Sequence, residues 1–293
     1  MDRILQMVSG RWLVHRDTAV SYLPMLIAFL NGSENIASIM TKEEADKLSK
    51  PRILAIGTQP GKLVQYDFGD PCIPDNSIAV IPIQGTILPW SSMRIYQAVQ
   101  LAEDNENIIS ILFPTNSPGG MVNFTDILAN EIKNCKKPTV AVVQNMSASA
   151  AMWLISAMDY RITTSPMDFI GSIGVFTSYT DMSVLLKEKL GISITDIYAT
   201  KSTRKNEMTR LFLEGNTQPI IDDLDFVNEI FHATIQKNLG LKADSEVFTG
   251  AIFNAPQAID LGLINEINTM DYAIEYVYNQ GLTSKINKYK SSI

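Results

Sequence analysis

The sequence predicts an α/β fold with a mainly parallel sheet flanked by helices, and three observations carry that expectation. Three short runs are almost continuously apolar: Ile78-Ala-Val-Ile-Pro-Ile83, Ile108-Ile-Ser-Ile-Leu-Phe113 and Thr139-Val-Ala-Val-Val143. Strands buried on both faces read this way, whereas a half-exposed strand alternates. Helical stretches, Met93 to Asp104 and Asn123 to Asn134, separate the three runs. Strands alternating with helices make a parallel sheet with right-handed crossovers.

Each element then follows in order. Residues 1–70 read as an N-terminal extension with helical pieces, Leu23 to Leu30 and a helix start at Thr41, whose hydroxyl is placed to cap a first turn rich in acids. Residues 71–280 hold the αβ pattern, and later helices are expected over Val184–Leu190, Pro219–Leu239 and Pro256–Leu261. The last of these stops at Gly262. Residues 281–293, polar and lysine-containing, are expected to form a flexible tail.

Bulk properties narrow the function classes. A 293-residue chain can bury a substantial core, and 46% hydrophobic with 19% charged residues is ordinary for a globular protein. A net charge of −7 argues against a sequence-independent grip on nucleic acid, which needs a basic face. Cys72 and Cys135 are far apart and lack metal-ligand spacing, so neither a disulfide framework nor a metal site is expected. The apolar run Tyr22 to Leu30 is too short to span a bilayer, which needs about 20 residues. No basic cluster and cleavage site mark a signal peptide. A cytoplasmic protein without a transmembrane segment is expected.

Ligands of parallel sheets bind beyond the carboxyl ends of the strands. Two segments there carry chemistry. Asn116-Ser-Pro-Gly-Gly120 follows the second strand, and its glycines let backbone N–H groups approach a developing oxyanion, although such residues also make a plain turn. Gln144-Asn-Met-Ser-Ala-Ser-Ala-Ala-Met-Trp153 follows the third. A serine among small residues on a strand-to-helix turn resembles a nucleophile elbow, or else caps the helix. Neither His15 nor His232 stands at a strand end, and His232 reads as an ordinary helix residue, so a histidine base is hard to build. A buried lysine can act instead. Lys201 and Lys205, in Tyr198-Ala-Thr-Lys-Ser-Thr-Arg-Lys-Asn206, are the candidates, and by themselves read as surface charges.

The order of the motifs is more informative than any one. Ile78 to Ile87, Ser117-Pro-Gly-Gly120, Ala148-Ser-Ala-Ala-Met-Trp-Leu-Ile-Ser156, Gly171-Ser-Ile-Gly-Val175, Val247-Phe-Thr-Gly250 and Ala258 to Ile267 together resemble the signal peptide peptidase A family, including phage protein C-like head-maturation proteases. The resemblance spans about residues 77–270. It implies a crotonase-like, Clp protease-like core assembled into homo-oligomeric rings, with no cofactor. It also implies a serine endopeptidase with a Ser-Lys dyad: Ser149 as nucleophile, Gly119 and Gly120 as oxyanion donors, and a lysine some fifty residues on as base. Lys201 follows Ser149 by 52 residues and Lys205 by 56. Lys205-Asn206 fits the family's local pattern better and is preferred, though Lys201 fits the spacing better. Gly171-Ser-Ile-Gly174 would shape the cleft, with the Ser172 hydroxyl placed to orient the lysine.

The chain departs from the family at two places. Ser149-Ala-Ala stands where bacterial members have Ser-Gly-Gly, and Asn116 where aspartate is common. The alanine form is the phage-like one. It points to a capsid maturation protease of phage or prophage, virion-associated, acting on capsid or portal proteins. The alternatives are a signal peptide peptidase that degrades leader peptides, an inactive oligomeric scaffold, and a crotonase-type acyl-CoA enzyme. The last generally needs carboxylates, and the two strand-end loops have none.

Overall fold

The computed structural model describes residues 12–14, 50–56, 63–178, 188, 191 and 195–291. The helices expected over Leu23–Leu30, from Thr41 and over Val184–Leu190 lie outside the described residues, as does His15.

In chain order the strands are β1 (Trp12–Val14), β2 (Arg52–Ile56), β3 (Leu63–Tyr66), β4 (Ser77–Val80) and β5 (Ile83–Gln84). Helix α1 (Pro89–Asp104) leads to β6 (Ile108–Ser117) and the short β7 (Gly119–Met121), then α2 (Thr125–Asn134) leads to β8 (Thr139–Ala148). The segment α3 (Ala150–Ser156), β9 (Tyr160–Thr163) and β10 (Phe169–Gly171) completes the first half. After it come α4 (Glu207–Leu213), α5 (Gln218–Leu239), β11 (Ile252–Asn254), α6 (Ala255–Asp260), β12 (Glu266–Ile267) and α7 (Met270–Ser291).

Ten strands form one sheet, ordered β11-β10-β8-β6-β4-β2-β3, with β5 on β6, and β9 bridging β8 and β12. Pairings within β4, β5, β6, β8, β9, β10 and β12 are parallel, while β2–β3, β2–β4 and β10–β11 are antiparallel. The fold is therefore α/β with a mostly parallel sheet flanked by helices, as the apolar runs predict.

Strand periodicity explains how both faces are buried. Ala79, Ile81, Ile111, Phe113, Ala141 and Val143 point into a large core that includes Val99 of α1, Leu128 and Ile132 of α2, Trp153 of α3, and Phe231 and Ile235 of α5. The alternate residues Ile78, Val80, Leu112, Val140 and Val142 pack on Ala273 and Val277 of α7. One polar residue in such a run would be buried whichever face it took, so the runs have no alternation.

Two boundaries differ from the sequence expectation. β2 and β3, inside the expected extension, are antiparallel members of the main sheet. Their alternating exposure gives a weaker sequence signal than the continuous runs. Residues 281–291 continue α7 instead of forming a loose tail. A Cβ at Gly281 would stand 2.8 Å from Ile109, so glycine lets this helix lie on β6. One turn later Lys285 Nζ reaches Asp75 at 2.7 Å and Asn76 at 2.8 Å. The helix over 218–239 ends at Gly240 in the left-handed region (φ 69), and Asn254 and Gln257 reciprocally cap α6.

Candidate active site

The segments expected to be loops after the second and third runs are largely strand. β6 extends through Pro114 to Ser117, and β8 through Gln144 to Ala148, with Ser117 opposite Ser147 after a register shift. The carboxyl ends of β6 and β8 therefore stand side by side, and the residues that follow them share one place. These are Gly119 and Gly120 on one side and Ser149 on the other.

Ser149 links β8 to α3 with φ 55 and ψ −114, outside the regions an L-residue ordinarily occupies. Such a conformation costs roughly 1–3 kcal/mol and persists where the surroundings over-determine it. Here its N–H donates to Gly171 O at 2.8 Å, and its carbonyl accepts from Trp153 N at 2.9 Å. Trp153 is in turn stacked on Phe231, centroids 4.6 Å apart. The turn is thus clamped from β10 and from the core, as a nucleophile elbow requires. The Ser149 hydroxyl has Gly174 O as partner at a long 3.5 Å. The residue is only 1% exposed, and Gly119 and Gly120 are buried too.

Gly119 has φ 97, which a side chain would resist. Its N–H donates to Ser117 Oγ at 3.1 Å, and that hydroxyl donates to Gly85 O at 2.6 Å. An oxyanion would draw the Gly119 N–H from this weak partner. At Gly120 a Cβ would overlap the Ile87 carbonyl. The need for a second glycine thus comes from the close approach of Ile87, a packing reason absent from the local sequence.

Neither candidate lysine is bonded to these residues. Lys201 and Lys205 lie in the turns before α4, and both are exposed in the single chain. Among the described residues no lysine amine bonds the Ser149 hydroxyl. Among the described residues the lysine whose pKa is lowered by burial is Lys137, whose Nζ caps the end of α1 through Ala102 O and Asn105 O, both at 2.6 Å. It precedes the opposite end of β8, roughly 30 Å away along the strand, and so cannot serve Ser149. His232 packs on Phe248, with centroids 4.9 Å apart, and burial lowers its pKa. It is a half-buried helix residue beside the backbone of Ile173, in keeping with the helix reading.

The structure adds residues that sequence reasoning passes over. Asp168, 5% exposed, accepts from Thr163 Oγ1 at 2.6 Å, Asn145 N at 2.8 Å, Ser165 N at 3.0 Å and Thr164 N at 3.1 Å. It fixes the β9–β10 turn against the left-handed Asn145 (φ 80), four residues before Ser149. Asn145 Nδ2 also donates to Asn116 Oδ1 at 3.2 Å, tying the end of β8 to the end of β6. The local signal was Thr163-Thr-Ser, a donor-rich turn beside an acid. Gly171 combines φ 119 with a site for Cβ 2.7 Å from Ala251 O, so the clamp on Ser149 also needs glycine.

Residues 131–281, a little over half of the chain, match the peptidase family S49. The chain belongs to that family. The matched stretch contains Ser149, both lysines, Asp168 and Gly171, and begins after the two glycines of β7. Among similar proteins, Protease 4 of Haemophilus influenzae is 23% identical over 272 residues, covering 84% of this chain and 43% of that protein. The head-tail preconnector protein GP5 of Enterobacteria phage P21 is 30% identical over 212 residues, 67% and 42% of the two chains. A putative signal peptide peptidase SppA of Enterococcus faecium is 24% identical over 185 residues, 59% and 51% of the two chains. The chain thus spans about half the length of these relatives. Among the described residues no helix is long and apolar enough to cross a membrane.

Proposed function

We propose that the chain is a serine endopeptidase of family S49 in which Ser149 attacks the peptide carbonyl and Lys205 takes its proton. The observation that carries the reading is the backbone of Ser149: a strained serine, clamped on both sides at the carboxyl end of a central strand, beside a glycine pair. Strain of this kind is expected where a side chain must be aimed rather than merely accommodated.

In the proposed reaction the Ser149 hydroxyl adds to the carbonyl as its proton passes to the lysine amine. The oxyanion is met by N–H groups at Gly119 and Gly120, and the lysine then protonates the leaving amine. Water repeats the cycle on the acyl-enzyme. A lysine in water has a pKa of about 10.4 and is charged, so the base must be neutral through burial. The exposure of Lys201 and Lys205 in one chain means that a docked substrate or a second subunit must supply that burial. A homo-oligomeric ring would do so.

The likeness to a phage head-tail preconnector protein, with alanines after the serine, supports capsid or portal proteins of a phage or prophage as substrates, in the cytoplasm or the maturing virion. The likenesses to Protease 4 and to a putative signal peptide peptidase support leader peptides as the second reading. Cleavage of an unfolded protein by wild type but not by Ser149→Ala tests the chemistry. Full activity in Ser149→Ala would overturn it.

A further inference from the structure

β7, which carries the two glycines, is not part of the ten-stranded sheet. One edge is taken by Ile87, whose N–H donates to Gly119 O at 2.8 Å and whose carbonyl accepts from Met121 N at 2.8 Å. The other edge is paired with β1, antiparallel, Trp12 opposite Met121, Leu13 opposite Gly120 and Val14 opposite Gly119. Were β1 absent, this edge would present unpaired backbone groups beside the proposed oxyanion donors. An exposed edge of that sort takes up an extended peptide by strand addition.

The direction of β1 matters as much as its position. Going back from Gly119, β7 leads to Ser117, which lies opposite Ser147, two residues from Ser149. An antiparallel neighbour running from Met121 to Gly119 therefore heads toward the reacting serine. β1 runs that way, with its C-terminal residue at Gly119. The burial of Gly119, Gly120 and Ser149 agrees with an occupied site: a substrate carbonyl cannot reach the hydroxyl until something leaves. β1 is itself only three residues long and, among the described residues, pairs with no strand but β7, so it is held by few bonds and is displaceable.

We propose that β1 is an intramolecular occupant of the strand-binding edge along Gly119–Met121, which holds the peptidase closed until a substrate strand displaces it. The inference rests on Ser149 being the nucleophile. Since only a fraction of molecules then has a free edge, the apparent KM is raised by the reciprocal of that fraction, and kcat is unchanged.

The test uses the full chain. Alternate N–H groups of a strand face one neighbour, so Leu13→Pro and Val14→Pro are made separately, and at least one removes a donor to β7. Cleavage of a fluorogenic peptide and labelling of Ser149 by a fluorophosphonate are measured in each. The expected result is a KM lower by about tenfold, and labelling faster by a similar factor, if the edge is free about a tenth of the time. A second measurement needs no variant: amide exchange at residues 12–14 in the wild type, with and without a tripeptide aldehyde, should speed up when the aldehyde binds. Unchanged KM, labelling and exchange in proteins that retain Ser149-dependent cleavage would overturn the inference and leave the peptidase standing. Absence of Ser149-dependent cleavage and labelling in every protein would instead overturn the peptidase reading, and this inference with it.

Discussion

The N–H of Ser149 donates to the carbonyl of Gly171 at 2.8 Å, which ties the residue after β8 to the last residue of β10. Through that bond the order of three distant segments becomes one site. β10 is itself held by Ala251 O, which accepts from Ser172 N at 2.6 Å, and by Asp168 at its start. The aim of the serine is a property of the sheet edge rather than of the short motif around it.

Gly171→Ala should therefore damage the site from a distance. The added methyl meets Ala251 O, and the backbone sits in a region essentially reserved for glycine. A loss of roughly 2 kcal/mol or more is expected from denaturant midpoints. A displacement of Ser149 by about 1 Å would also lower kcat/KM about a hundredfold.

Asp168→Asn keeps the shape and replaces one acceptor oxygen by a donor. Three backbone N–H groups and two hydroxyls converge on this carboxylate, so one or more lose their partner at a cost of about 2–3 kcal/mol. Urea titration measures the loss, and the labelling rate of Ser149 should fall with it. Normal stability with normal labelling would remove Asp168 from the positioning role.

The two lysines separate by kinetics. Lys205→Ala should lower kcat about a hundredfold or more, and Lys201→Ala less than about threefold, when measured at concentrations where the protein is assembled. The reverse ranking would move the base to Lys201.

His232 predicts the sign of one pH effect. Burial depresses its pKa in the folded state below the ordinary 6.5, so the unfolded chain binds the proton more readily. Stability is then full above about pH 6.5 and falls as the pH drops from there toward the folded-state value. Melting curves at pH 7.5 and 5.5 should show a larger drop in wild type than in His232→Gln.

Much of the fold was legible in the sequence because β4, β6 and β8 are buried on both faces and leave an unbroken apolar signature. β2 and β3 at the sheet edge leave only weak alternation, and β10 and β12 are too short to show any period. Helix α7, apolar on a narrow stripe around Ala273 and Val277, is masked by its charged and tyrosine-rich remainder. At the site, the serine and the glycines could be read because small residues at strand ends are local features. Ile87 and the Gly171 clamp could not, because each acts on residues brought near only by the sheet, and Asp168, though bonded locally to Thr163, Thr164 and Ser165, reaches Asn145 only through it. The pairing of β1 with β7 is of the same kind, linking segments more than a hundred residues apart.

The chemistry itself is tested most directly by mapping a fluorophosphonate adduct by peptide mass spectrometry on the assembled protein. A single adduct on Ser149, absent in Ser149→Ala together with loss of peptide cleavage, is the predicted result. An adduct on a different serine, with cleavage intact in Ser149→Ala, would contradict it.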